Sequence, residues 1–178
     1  MKEMKEYTIP FVGLKIGQHK YDFDLDKKFF EHFEYDEFHQ AALKLTVILV
    51  KKSNMLEIEL MFDGSVNVSC DRTNEPFDLP LAGSYHFVVK FGQERDDMQD
   101  ELLILPHGAY QVNIQQQIYE SIVLALPSKK IHPGIAEGTL KSEVLEQLEA
   151  LKPQGEQQNN LEDVDPRWDD LKKLLTDK

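Results

Sequence analysis

The chain has 178 residues, 41% hydrophobic and 29% charged, with a single cysteine and a formal net charge of −12; about 100 to 150 residues enclose a hydrophobic core, so the length suits one domain plus an appendage and excludes two full domains. Near-average composition excludes wholesale disorder. No run approaches the about 18 to 20 apolar residues of a membrane span, and the opening MKEMKEYTIPF has no apolar export signal.

A lone Cys70 has no disulfide partner within the chain, so a reducing compartment, the cytoplasm, is expected. Lysines fall in scattered pairs, such as Lys51 with Lys52 and Lys129 with Lys130, while acids crowd 21–37 and 94–101. Binding by phosphate neutralisation needs a local basic patch against that field, so a basic protein fits better than naked RNA as a direct partner. Acidity that serves solubility alone is the competing reading.

In chain order, Tyr21, Phe23 and Leu25 alternate with Asp22, Asp24 and Asp26, which predicts a strand that buries the former and exposes the carboxylates. Phe29, Phe30 and Phe33 predict a short helix. From Ala41 to Phe91 period-two alternation dominates. Leu43 to Leu49 and Leu56 to Phe62 read as a hairpin joined at Ser53 and Asn54, and Asp63 with Gly64 reads as a second turn leading to Val66, Val68 and Cys70. Asn74 to Pro76 then turns the chain into Phe77, Leu79 and Leu81, with Phe87, Val89 and Phe91 following after Gly83. The charged stretch 92–101 reads as an exposed loop.

A helix is expected over 113–126, with Ile114, Ile118 and Ile122 on one face, Asn113 and Gln116 resembling a capping box, and Pro127 as the stop. Leu140, Val144, Leu145, Leu148 and Leu151 mark a further amphipathic helix. PQGEQQNN is too polar to offset its ordering entropy and reads as a linker. In the final segment Asp165 suits an N-cap, Pro166 the first helical position, and Trp168, Leu171, Leu174 and Leu175 follow at helical spacing. A helix this short is marginal alone; it either docks on its own domain, folds against a partner with Trp168 and the leucines as anchors, or stays a disordered tail.

The expected fold is therefore α+β: a mainly antiparallel β-sheet or partly closed barrel of about five to seven strands with a packed helix, plus C-terminal helices. The expected layout is a sheet domain over 1–135, an amphipathic helix over 136–152, a polar linker over 153–163 and a terminal helix over 164–178.

Chemistry-bearing motifs are sparse. Asp22, Asp24 and Asp26 have the spacing of the first calcium-loop ligands, but Lys27 stands where that loop needs glycine and Phe33 where it needs an acid. One cysteine and six scattered histidines do not make a zinc pattern. No Gly-x-Ser-x-Gly elbow, P-loop or dinucleotide fingerprint occurs. Cys70, in phase with Val66 and Val68, reads as a buried core thiol. Neither a catalytic residue nor a metal, a cofactor or a small-molecule substrate is expected.

Three marks, Ser69-Cys70-Asp71-Arg72-Thr73, the helix that ends in Leu124-Ala125-Leu126-Pro127, and Asp165-Pro166-Arg167-Trp168-Asp169-Asp170-Leu171, occur in an order that resembles the YceD family from about residue 10 onward. The resemblance implies a role in accumulation of 23S ribosomal RNA and large-subunit assembly, and no enzymatic activity. The family's motif reads Cys-x-Arg-Cys, often with a second cysteine cluster after the Leu-Pro; here Thr73 replaces the second cysteine and His132 is the one ligand-type residue in 129–134. Arg72 remains as the motif's polar residue, suited to an interaction or to a salt bridge with a local acid. The reading is an acidic adaptor for a basic large-subunit protein or assembly factor, with ribosomal RNA contacted indirectly, and Arg72, Pro166, Arg167, Trp168, Leu171 and Leu174 as candidate binding residues. The alternatives are a direct RNA binder, an enzyme whose site is assembled only in three dimensions, and a self-associating structural protein.

Overall fold

Long runs of period-two alternation give each long strand one apolar face, and burying those faces together sets the architecture. The computed structural model describes residues 4–92, 101–140 and 142–151. The elements are β1 (Thr8–Pro10), β2 (Gly17–Asp26), α1 (Lys27–Glu31), β3 (Gln40–Lys51), β4 (Met55–Ser69), β5 (Pro76–Gly92), β6 (Leu102–Pro106), β7 (Gln111–Asn113), α2 (Gln115–Leu124), α3 (Pro133–Ala136) and α4 (Glu143–Ala150). Five strands form one sheet in the order β2-β3-β4-β5-β6, antiparallel except for the parallel pair β5 and β6, and β1 pairs antiparallel with β7 in a second sheet. The fold is α+β, and the large sheet is open, with β2 and β6 at its edges. Residues up to Leu140 form one compact unit, and those from Lys141, which include α4, form another. Among the described residues no helix is long and apolar enough to cross a membrane.

Two glycines expected at breaks lie inside strands instead. β4 runs unbroken through Asp63 and Gly64, which pair with Lys44 and Leu43 on one side and with Ala82 and Leu81 on the other. The glycine is needed for close approach: a Cβ at Gly64, where φ is 153°, would stand 2.2 Å from the Ala42 carbonyl oxygen and 2.9 Å from the Leu43 Cα. β5 likewise passes straight through Gly83, opposite Phe62, and a Cβ there would stand 2.6 Å from the Cζ of that ring. Both glycines hold inward positions of an alternation whose phase never changes, whereas a break would have released it.

The inward faces of the large sheet pack against α1, α2 and the small sheet. Val47, Leu49, Ile58, Leu60, Val89, Val112, Ile118 and Ile122 are fully buried there; burying an aliphatic side chain of that size stabilises the fold by about 1.5–3 kcal/mol. α1 starts where Asp26 accepts the Lys28 N–H at 3.0 Å, and it delivers Phe30 against Phe38 edge to face, with ring centroids 4.7 Å apart. Phe33 stacks on Tyr119 of α2 at 4.2 Å, so the loop after α1 is fixed to α2.

The start of α2 differs from the expected capping box. Asn113 lies in β7 and its Oδ1 accepts the Gln115 N–H at 3.1 Å, while Gln116 bonds Glu120 one turn on. Strands β1, β6 and β7 and helix α3, three to five residues each, were not legible in the sequence because a period needs more residues to declare itself. Of the charged stretch 92–101, residues 93–100 lie outside the described residues, as do the linker 153–163 and the terminal segment 164–178.

Candidate functional site

The site grows from the end of β4. Cys70 takes the next inward position after Val66 and Val68, and it is 2% exposed. Its N–H donates to the Glu75 carbonyl at 2.9 Å and its carbonyl accepts the Asn74 N–H at 2.8 Å, which closes a turn over Asp71–Thr73. Asn74 sits at a φ of 58°, a conformation asparagine tolerates better than most residues.

The turn is built around the sulfur. The His132 N–H donates to the Cys70 Sγ at 3.3 Å, and the Thr73 hydroxyl and the Arg72 and Thr73 N–H groups donate to it as well. Burial pushes the thiol up, but these four donors outweigh it and bring the pKa from 9.0 down to about 7. Cys70 is thus buried as expected, and it also serves as the acceptor that organises the turn.

A second segment, after α2, clamps the turn. The Asp71 N–H donates to the Lys130 carbonyl at 2.8 Å, and the Lys130 N–H returns a bond to the Asp71 Oδ2 at 2.6 Å. The Lys130 ammonium reaches the Glu37 carboxylate at 2.8 Å. That bond is the main reason the Glu37 carboxyl lies below the usual range, and the Tyr35 hydroxyl also donates to it. On the other flank the His39 Nε2 lies 2.9 Å from the Ser69 Oγ.

These groups line an open cleft of about 340 Å³ at the turn, whose lining includes Asp36, Glu37, Asp71, Arg72 and Lys130. Lys130 is engaged. Arg72 is exposed and forms no ion pair among the described residues, so the salt bridge to a local acid is not made there. A rigid turn that holds an unengaged guanidinium beside carboxylates can bind a mixed-charge polypeptide segment, with Arg72 taking an acid or a carbonyl and Asp36 and Asp71 taking a base.

Zinc, which the family's cysteine pattern would imply, does not fit these residues. A structural zinc ion takes four thiolate or imidazole ligands, whereas Thr73, in the second cysteine position, gives its hydroxyl to the sulfur. The His132 Nδ1 is likewise occupied, accepting the Gly134 N–H at 3.0 Å as the N-cap of α3. Hydrogen bonds to one sulfur close this turn. Among the described residues no group of three His, Cys, Asp or Glu could hold a metal ion.

Of the candidate binding residues, Arg72 lies in the cleft, while Pro166, Arg167, Trp168, Leu171 and Leu174 lie outside the described residues. Glu37, His39 and Lys130 were missed as site residues: they join Arg72 across sequence separations that no local pattern encodes. The one available signal was Lys129 with Lys130, one residue beyond the Leu126-Pro127 expected to end the helix.

No curated protein and no solved structure matches the chain. The profile of one protein family matches residues 58–175, two-thirds of the chain, from β4 through the Cys70 turn and Lys130 to the Asp-Pro-Arg-Trp segment. With that span covered, the chain belongs to the family described as large ribosomal RNA subunit accumulation protein YceD.

Proposed function

We propose that the protein is a non-enzymatic factor supporting 23S ribosomal RNA accumulation and large-subunit assembly in the cytoplasm, acting as an acidic adaptor for a basic ribosomal protein or assembly factor. The observation that carries the reading is the family match, which spans both the Cys70 turn and the terminal segment. The net charge of −12 supports a basic partner, because complementary fields speed encounter and penalise wrong partners. Direct RNA binding is weaker on the same ground. The cleft holds two cations among three carboxylates, and Lys130 already pairs with Glu37.

The organisation that suits this role is a sheet domain over 1–135, a helix within 136–152, a linker over 153–163 and a terminal helix over 164–178. Arg72 contacts the partner from the cleft. Pro166 and Arg167 open the terminal helix, and Trp168, Leu171 and Leu174 supply its apolar anchors.

Affinity capture of the tagged protein from lysate, with and without RNase and at two salt concentrations, tests the reading. Large-subunit proteins retained after RNase are the expected result. Their loss with RNase would favour an RNA-bridged or direct RNA contact, and their absence in both conditions would refute the ribosomal role.

A further inference from the structure

We infer that the free edge of β2 is a docking site for an extended segment of a partner protein in which basic and apolar residues alternate, the segment adding a sixth strand to the large sheet. This rests on the reading of the protein as an adaptor for a basic partner, and it names the surface.

Three features of β2 define the occupant. First, β2 is a ten-residue strand that pairs with β3 along one side, and among the described residues no strand pairs with its other side. That side presents a row of backbone donors and acceptors long enough for an added strand. Second, the inward face is incompletely covered at this edge. Tyr21 and Phe23 are only partly buried, although the residues opposite them on β3, Val47 and Leu45, are 0% and 1% exposed. An added strand would lay apolar side chains beside those two rings, completing the cover that the inner strands already have.

Third, the outward face of the same strand carries Asp22, Asp24 and Asp26, all exposed and at every second position. Neighbouring carboxylates on one face of a strand stand about 6.5–7 Å apart, the spacing of side chains on one face of any strand laid beside it. Asp22 is oriented by the Thr46 hydroxyl at 2.7 Å and by Lys20 at 3.1 Å, and Asp26 caps α1. Asp24, between them, forms no ion pair among the described residues. Lysine or arginine on the outward face of the added strand, with apolar residues on its inward face, satisfies all three features together. A uniformly basic segment would place cations against Tyr21 and Phe23, and an apolar one would leave Asp24 without a counter-charge.

The experiment uses the full chain and two peptides of about nine residues and identical composition, one alternating lysine with valine and one with its lysines and valines in separate blocks. The alternating peptide is expected to bind at least about tenfold more tightly than its block isomer, and to slow amide exchange between Gln18 and Leu25. Asp22→Lys with Asp24→Lys is expected to lower its affinity about tenfold or more. Asp22→Asn with Asp24→Asn, which adds no like charge beside Lys20 and Lys44, should retain the thermal melt and lower affinity less. Equal affinity for the two peptides, protection confined to other segments, or affinity unchanged by the lysine variant would overturn the inference. Capture from lysate separates the two levels. If wild type and the lysine variant recover the same RNase-resistant large-subunit proteins equally well, the docking edge fails while the adaptor role stands; if wild type recovers none, the adaptor role itself fails.

Discussion

Replacing Gly64 with alanine places a methyl group where β3 and β4 come closest. The new Cβ would stand 2.2 Å from the Ala42 carbonyl oxygen and 2.9 Å from the Leu43 Cα, and both atoms belong to backbone that cannot rotate away. Relief requires the strands to part at a point where β4 is paired on both sides. Overpacking of this kind costs about 1–3 kcal/mol, and holding alanine at the positive φ adds about 1–3 kcal/mol. Together they predict a loss of about 2–6 kcal/mol, or about 4–24 °C in Tm at about 2–4 °C per kcal/mol for a chain of this size. Circular dichroism melts and urea titrations of wild type and Gly64→Ala read the loss directly. A Tm within about 3 °C of wild type would refute the reasoning, because an unstrained, loosely packed glycine is not destabilised by the same change and gains about 0.4–1 kcal/mol.

Other consequences are open to simple measurement. Gly83→Ala pushes a Cβ into the Phe62 ring, so it should cost about 1–3 kcal/mol alone and distinctly less in a Phe62→Leu background; additive losses in that double-mutant cycle would count against the contact. The Cys70 thiol should titrate at about 7 by thiolate ultraviolet absorbance, and Thr73→Val should raise that midpoint by removing the hydroxyl donor. Since the native thiol holds its proton less tightly than the unfolded one, its contribution to stability should grow as pH rises from about 7 to 9 and be lost as pH falls through 7. Lys51→Met withdraws an ammonium that bonds the Phe11 and Leu14 carbonyls at 2.8 Å each and that of Val12 at 3.3 Å, so amide exchange over 11–16 should quicken while exchange in the β3–β4 core stays slow. Arg72→Ala should change stability by no more than the about 0.5 kcal/mol usual for surface changes, yet reduce RNase-resistant capture of large-subunit proteins; Trp168→Ala with Leu171→Ala should do the same if the terminal segment anchors the partner, and a large fall in Tm would show that it docks on its own domain instead.

The sequence by itself determined which side of each long strand is buried. Leu43 to Leu49, Leu56 to Phe62 and Tyr21 to Leu25 each needed only a period of two, a property of adjacent residues, to announce the inward face, and Ser53 and Asn54 marked an end through turn chemistry. It also carried the three marks whose order resembles the family: the Cys70 motif, the Leu126-Pro127 after the helix and the Asp165-to-Leu171 segment. Only the tertiary structure decided that Asp63-Gly64 and Gly83 continue strands rather than break them, because what they accommodate, the Ala42 carbonyl and the Phe62 ring, comes from a neighbouring strand. The same holds for the cleft. Glu37, Cys70 and Lys130 meet because β4, the loop after α1 and the segment after α2 converge on one sulfur and one ion pair. Convergence of that kind depends on contacts between residues far apart in the chain, and a local pattern carries no record of them.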